Sequence, residues 1–397
     1  MSFLLGVVIF IVALLLSIML HEAGHFLTAK KFGMKVTQFF VGFGQTLWSR
    51  RKGETEYGIK ALPVGGFVKI VGMTGMDEID PADEPRSFRR QSGWQRIIVL
   101  AAGSFMHFVL ALVLLFLVAA AVGLAAPSTT TTIGTIDSCV PASVSSACKS
   151  SNPASPSAKA GMKPGDTIVA LDGTRVSNWT QMGKVIRRQP VGTPVAVTVV
   201  RHGKQVVLHP TLATTIMSGK RVPFLGVSPQ VVFRRQGPVG ALSYAGSQFG
   251  QTVTRSAGVV ASLPAALPDL FSKNRASTPA GQVSSVVGAG DVTGQVLAAK
   301  IGWQPKVSLV LLIVASVNIF VGLFNLLPLL PLDGGHLAVV IYERIRAWLA
   351  RMRGRPDPGL VDMRRLIPVS VGVFALLVGV GLLLIMADIV NPVHIIQ

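Results

Sequence analysis

The sequence predicts a polytopic alpha-helical membrane protein. It would have four transmembrane helices, a membrane-associated β-hairpin region after the first, and an extracytoplasmic domain between the second and third. Three observations carry this reading. Half of the 397 residues are apolar and only 14% are charged, which excludes the disordered and ordinary soluble classes. Four long runs are nearly free of charge, and Lys and Arg crowd the short segments that join them.

The first run lies within residues 1–28 and carries no charge before His21. It has no basic residue ahead of it and no small-residue cleavage site, so it reads as a retained span rather than a signal peptide. The second, 97–126, is interrupted only by His107. The third, 307–340, is uncharged up to Asp333, and the fourth is 366–390. Each approaches the ~20 residues that a hydrocarbon core of ~30 Å requires.

The formal charge of +19 raises the question of nucleic acid, and its distribution answers it. Phe26–Arg96 holds twelve Lys/Arg against seven acids, and Ile341–Leu366 holds seven against three. Both stretches are short and flank spans, so both are expected in the cytoplasm, with membrane lipid and not nucleic acid as the partner. The long segment between the second and third spans is then extracytoplasmic. It contains both cysteines, Cys139 and Cys148; an oxidising compartment favours their pairing, with two free thiols as the alternative.

The connecting segments differ in pattern. Residues 30–96 lack helical periodicity and hold β-prone runs, Val36–Val41, Thr55–Ala61 and Gly66–Val71, separated by glycines, as hairpins require. They are expected at the cytoplasmic face or dipping into the membrane, with Trp94 as an interface anchor. Residues 127–230 begin with a Ser/Pro-rich insertion and continue as a small mixed domain. Residues 231–306 read as an amphipathic helical linker, with Ala241, Ala245, Phe249 and Val253 on one face lying against the membrane or the domain. Residues 341–365 read as a basic cytoplasmic loop.

The chemistry concentrates in His21-Glu22-Ala23-Gly24-His25. Four residues apart on a helix, His21 and His25 share a face and can reach one zinc ion, with Glu22 beside them as proton acceptor for water. Inside a span such a cluster is a functional site by default. A catalytic zinc takes a third protein ligand. Asp333 is the only acid between Asp291 and Glu343, and the inferred topology brings it to the same side of the membrane; His336 is the competing ligand. Pro328, Pro331, Gly334 and Gly335 break the helix there.

These motifs resemble the site-2 proteases, a family of intramembrane zinc metalloproteases. HEAGH on the first span and Asn325, Pro328, Asp333 and Gly334 on the third are similar to the family's paired signatures. "VGFGQTLWSRRKGETEYGIKALPVGGFVKIVGM" looks like its membrane-reentrant hairpin, and "AGMKPGDTIVALDG" like the core of a PDZ domain. Ser316–Asn318 fits the family's third core span, and the closest likeness is to the bacterial, actinobacterial branch. The chain departs from the pattern at Ser104, His107 and Leu330.

The resemblance implies a multi-pass protein of the bacterial inner membrane that uses Zn2+ to cut single-span substrates. Typical substrates would be anti-sigma factors already shortened by an upstream site-1-type protease, in regulated intramembrane proteolysis. It implies that Asn325 hydrogen-bonds the substrate backbone or the oxyanion. It also implies that the PDZ-like domain filters substrates outside the membrane. A transporter would spread ionisable groups over several spans and show a repeat; the chain has one cluster and no repeat. A silent scaffold would have no need of Glu22 and Asp333.

Overall fold

The computed structural model describes residues 1–73, 79–144, 146, 148–149, 151–217, 219–272, 275 and 284–392. The chain forms two units, Met1–Val122 with Gln236–Gln397, and Gly123–Arg235.

The first unit starts with α1 (Ser2–Lys31), whose last turn carries Lys30 and Lys31 against the negative end of the helix. Then come β1 (Val36–Lys52) and β2 (Thr55–Ile70). The sequence suggests three short strands here; the structure has two long ones. They bend at Gly42 and Gly44, both at φ 85°, and fold back, so that Phe39 pairs with Val68 on one side and Tyr57 on the other. α2 (Gly93–Leu117) opens on a reciprocal cap between Ser92 and Gln95. It closes with a π-helical turn, Val118–Val122.

The second unit contains β3 (Leu124–Pro127), β4 (Ile133–Ile136), α3 (Pro156–Lys159), β5 (Thr167–Leu171) and β6 (Thr174–Arg175). It continues with α4 (Trp179–Ile186), β7 (Val197–Arg201), β8 (Lys204–Leu208), β9 (Ala213–Met217), β10 (Lys220–Phe224), β11 (Val227–Pro229) and β12 (Val231–Arg234). Its main sheet has the order β6-β5-β7-β8. Alternate residues Ile168, Val197 and Val199 point inward against Met182 and Ile186 of α4, the period of two that a half-buried sheet demands. Cys139 and Cys148 form a disulfide.

The first unit resumes with α5 (Pro238–Ala266), α6 (Val286–Ala298), α7 (Trp303–Asn325), α8 (Asp333–Met352) and α9 (Ile367–Val390). Ala245, Phe249 and Val253 of α5 pack on Ala111 and Leu115 of α2 and on Ala315 and Ile319 of α7. The apolar face assigned above to membrane or domain is therefore covered by other helices, because its alanines admit close approach. The run 307–340 does not form one helix. Pro328 and Pro331 each lack a backbone N–H, and α7 ends at Asn325. Nor is the segment after Ile341 all loop: the helical spacing of Leu337, Val340, Arg344 and Trp348 carries α8 to Met352.

Among the described residues, four helical stretches are long and apolar enough to cross a membrane: Ser2–Lys31, Gly93–Val122, Trp303–Asn325 and Met363–Val390. The last is held at its far end by Asp388, which pairs with the buried Arg275 at 2.6 Å and accepts the Ser285 N–H at 2.6 Å.

Candidate metal centre

His21 and His25 lie one turn apart on α1 and are both buried. Their Nε2 atoms are 3.1 Å apart. Asp333, the first residue of α8, brings Oδ2 to 3.1 Å from His21 Nε2 and 3.2 Å from His25 Nε2. The three candidate ligand atoms lie within 4.8 Å of one another.

Hydrogen bonding decides what these atoms can do. His25 Nδ1 lies 2.7 Å from the carbonyl oxygen of Val99, which can only accept. Nδ1 therefore carries the proton, and in the neutral ring Nε2 holds a bare lone pair. That lone pair faces a second imidazole nitrogen and a carboxylate oxygen. Asp333 Oδ2 is buried without a hydrogen-bond partner, a costly arrangement unless a cation draws it and the two imidazole nitrogens together. Two imidazoles and one carboxylate fit a tetrahedral zinc with its fourth position open.

Gly103 of α2 makes room for this cluster. A Cβ at that position would stand 2.4 Å from His25 Nε2 and 2.6 Å from His21 Nε2. Gly24 serves the same approach from α1, where a Cβ would meet the Ala102 carbonyl oxygen at 2.5 Å. The sequence reading gave Gly103 no role; the available signal was the run of small residues Ala102-Gly103-Ser104 opposite Gly24.

Below the imidazoles lies a buried polar chain that the sequence reading also missed. His107 Nδ1 is 2.7 Å from Asn318 Oδ1. The Asn318 amide donates to Ser17 Oγ at 3.0 Å and to the Val314 carbonyl at 2.8 Å. The two donations fix the amide so that its oxygen faces His107, whose Nδ1 must then donate. The His107 ring sits 5.0 Å from that of His21, centroid to centroid. This chain ties α1, α2 and α7 together beside the cluster.

Glu22 is half-buried and lies close to β2, with the Val68 backbone near its carboxylate. A Cβ at Gly66 would lie 3.0 Å from Met19 Sδ and 3.5 Å from Glu22 Cγ, so the strand passes close over the helix. Val36–Val41 separates Gly66–Ile70 from Glu56–Ile59. Among the described residues, the ladder pairs Gly66–Val68 along one edge only. The other end of the sheet is pinned by Glu54, which accepts from Lys30 at 2.5 Å and from Arg86 at 2.7 and 2.9 Å. The Arg86 hydrogen bonds, helped by Lys30, pull the Glu54 carboxyl down to about 2.

The two remaining sequence candidates are Asn325 and His336. Asn325 ends α7 and is half-buried. His336 is not among the three converging residues; it lines a separate cavity of about 340 Å³ with Arg96, Glu343 and Arg364.

The sequence profile of peptidase family M50 matches residues 9–355. The chain is 36% identical to the zinc metalloprotease Rip1 of Mycobacterium tuberculosis, over 100% of both chains. Identity to the zinc metalloprotease Rip1 of Mycolicibacterium smegmatis is 35%, again over 100% of both. A putative zinc metalloprotease of Fusobacterium nucleatum is 32% identical over 87% of this chain and 89% of its own.

Proposed function

The chain belongs to peptidase family M50, and we propose that this membrane zinc metalloprotease cuts single-span proteins within their membrane-spanning segments. The observation that carries the reading is the convergence of His21 Nε2, His25 Nε2 and Asp333 Oδ2 on a helix apolar enough to span a bilayer. Charge at that depth is costly and persists where it has work to do.

In this reading His21, His25 and Asp333 hold the zinc, and the Val99 carbonyl keeps the His25 ring in register. Bound zinc supplies Lewis acidity towards a peptide carbonyl and makes water a stronger acid. Glu22 takes the proton of the attacking water and delivers it to the leaving amide nitrogen. Asn325 donates its amide hydrogen to the substrate backbone or the developing oxyanion. A helix conceals its own carbonyls, so the substrate must unwind. The open edge of Gly66–Val68, next to Glu22, would receive it as an added strand.

The finer assignments rest on resemblance and charge bias. Substrates are anti-sigma factors first shortened by a site-1-type protease, and the enzyme sits in the bacterial inner membrane. Residues 127–230 form a PDZ-like domain outside it that screens substrates by size or by occupancy.

The test is cleavage of a tagged single-span reporter in membranes by wild type, Glu22→Gln and Asp333→Ala, with zinc quantified in each sample. Glu22→Gln should keep zinc and lose about 10²- to 10⁴-fold in rate, the usual worth of a general base. Asp333→Ala should lose both. Equal cleavage by all three would sink the proposal.

A further inference from the structure

α8 shows two faces of different character. Val340 and Glu343 point into the protein. Around the helix from them lie Ile341, Tyr342, Ile345, Trp348, Leu349 and Met352, all exposed, four of them by more than half. At 100° per residue these six fall in one arc of about 120°. Arg344 and Arg351 border the arc on one side, Arg346 and Arg353 on the other. A large unpartnered apolar stripe bordered by cations is the pattern of a helix lying in a membrane interface, where arginines bury their stems and lift their heads to the phosphates.

Two further observations favour lipid over a protein groove. α8 is tied at both ends to candidate spans: α7 ends at Asn325, and the next span begins at Met363. The helix therefore remains near the level where hydrocarbon gives way to headgroups. The Arg344 guanidinium also lies 4.9 Å above the ring of Trp94, which is 63% exposed at the start of α2. Trp94, Trp348 and Tyr342 make the aromatic belt expected at that level. Seven arginines against three acids over Ile341–Leu366 set the sign of the lipid.

We propose that α8 is an interfacial helix that beds its Ile341–Met352 stripe in a leaflet of anionic lipid and thereby sets the position of Asp333. The second half rests on the reading of Asp333 as a zinc ligand. The helix begins at Asp333, so tilting or lifting α8 moves the carboxylate relative to the imidazoles of α1. Anionic headgroups hold the helix down through Arg344, Arg351 and Arg353, and metal retention then depends on lipid charge.

The full-length protein would be placed in nanodiscs of phosphatidylcholine alone or with about a third phosphatidylglycerol, a cell-like anionic surface. A spin label at Ile345→Cys reports depth through its collisions with oxygen and with a water-soluble relaxant. The second readout is the rate at which zinc passes to a chelator. The label should be shielded from the aqueous relaxant, and zinc release should be several-fold slower with phosphatidylglycerol. The triple variant Arg344→Gln, Arg351→Gln, Arg353→Gln should lose that difference. A water-exposed label overturns the interfacial helix. A shielded label with equal zinc release in both lipids overturns the link to Asp333. If Asp333→Ala keeps zinc as wild type does, the ligand reading fails while the depth result still judges the helix.

Discussion

His107 Nδ1 and Asn318 Oδ1 stand 2.7 Å apart, joining α2 to α7 through two buried side chains. Such a bond has a modest net worth, about 0.6 kcal/mol on average inside a membrane. Orphaning one partner is dearer, about 1–3 kcal/mol for a buried polar group. Asn318→Leu strands His107, while the Ser17 hydroxyl keeps its bond to the Ala13 carbonyl, so it should lower the unfolding midpoint in detergent more than the double variant His107→Leu, Asn318→Leu does. Equal losses would mean the chain of hydrogen bonds is not closed as described.

Gly103→Ala tests the metal centre without touching a ligand. Alanine is a better helix former than glycine by about 1 kcal/mol, so α2 itself should not suffer. Its Cβ, however, would stand 2.4 Å from His25 Nε2. The variant should fold with wild-type helix content by circular dichroism and bind well under one zinc per chain by elemental analysis. Full zinc occupancy with normal cleavage would show that α1 and α2 can part more easily than this packing allows.

Asp166 supplies a pH dependence in the unit Gly123–Arg235. The Arg201 guanidinium grips both carboxylate oxygens at 2.7 Å, and chiefly for that reason the Asp166 carboxyl is held below its ordinary value. A lowered folded pKa adds stability above the unfolded value of about 3.9, and that stability drains away as pH falls through the folded value. Denaturant-dependent hydrogen exchange in β5 and β7 should show this loss below about pH 4. Arg201→Leu should weaken the unit at neutral pH and flatten the acid limb. An unchanged limb would assign the acid sensitivity elsewhere.

The sequence made the metal centre unusually legible because its parts obey local rules. His21 and His25 are four apart on a helix whose identity follows from apolar composition alone, and Asp333 is conspicuous as a lone acid in a long uncharged run. Gly103 and Asn318 gave no such signal. One acts by lacking a side chain and the other by its partners on α1 and α2, and both depend on helix register that no single segment encodes. Pro328 and Pro331 announce the break between α7 and α8, yet the low charge of the segment carries the expected span through to residue 340. Apolar composition does not reveal where the backbone leaves the membrane. The fold-back of β1 on β2 escaped for a related reason: local β-propensity identifies strands but not which edge each one shares.

The close seat of Gly103 over the imidazoles also has a pharmacological side. α2 walls the cluster so tightly that even a methyl group has no room there. A chelating inhibitor approaching from the side of Glu22 and β2 would meet the strand at Gly66, which passes close over Met19 and Glu22. The chelating group would then have to be carried on an extended, peptide-like arm lying along Gly66–Val68. Selectivity between related enzymes would be written in the side chains flanking that arm, and the metal-binding head would contribute affinity with little discrimination.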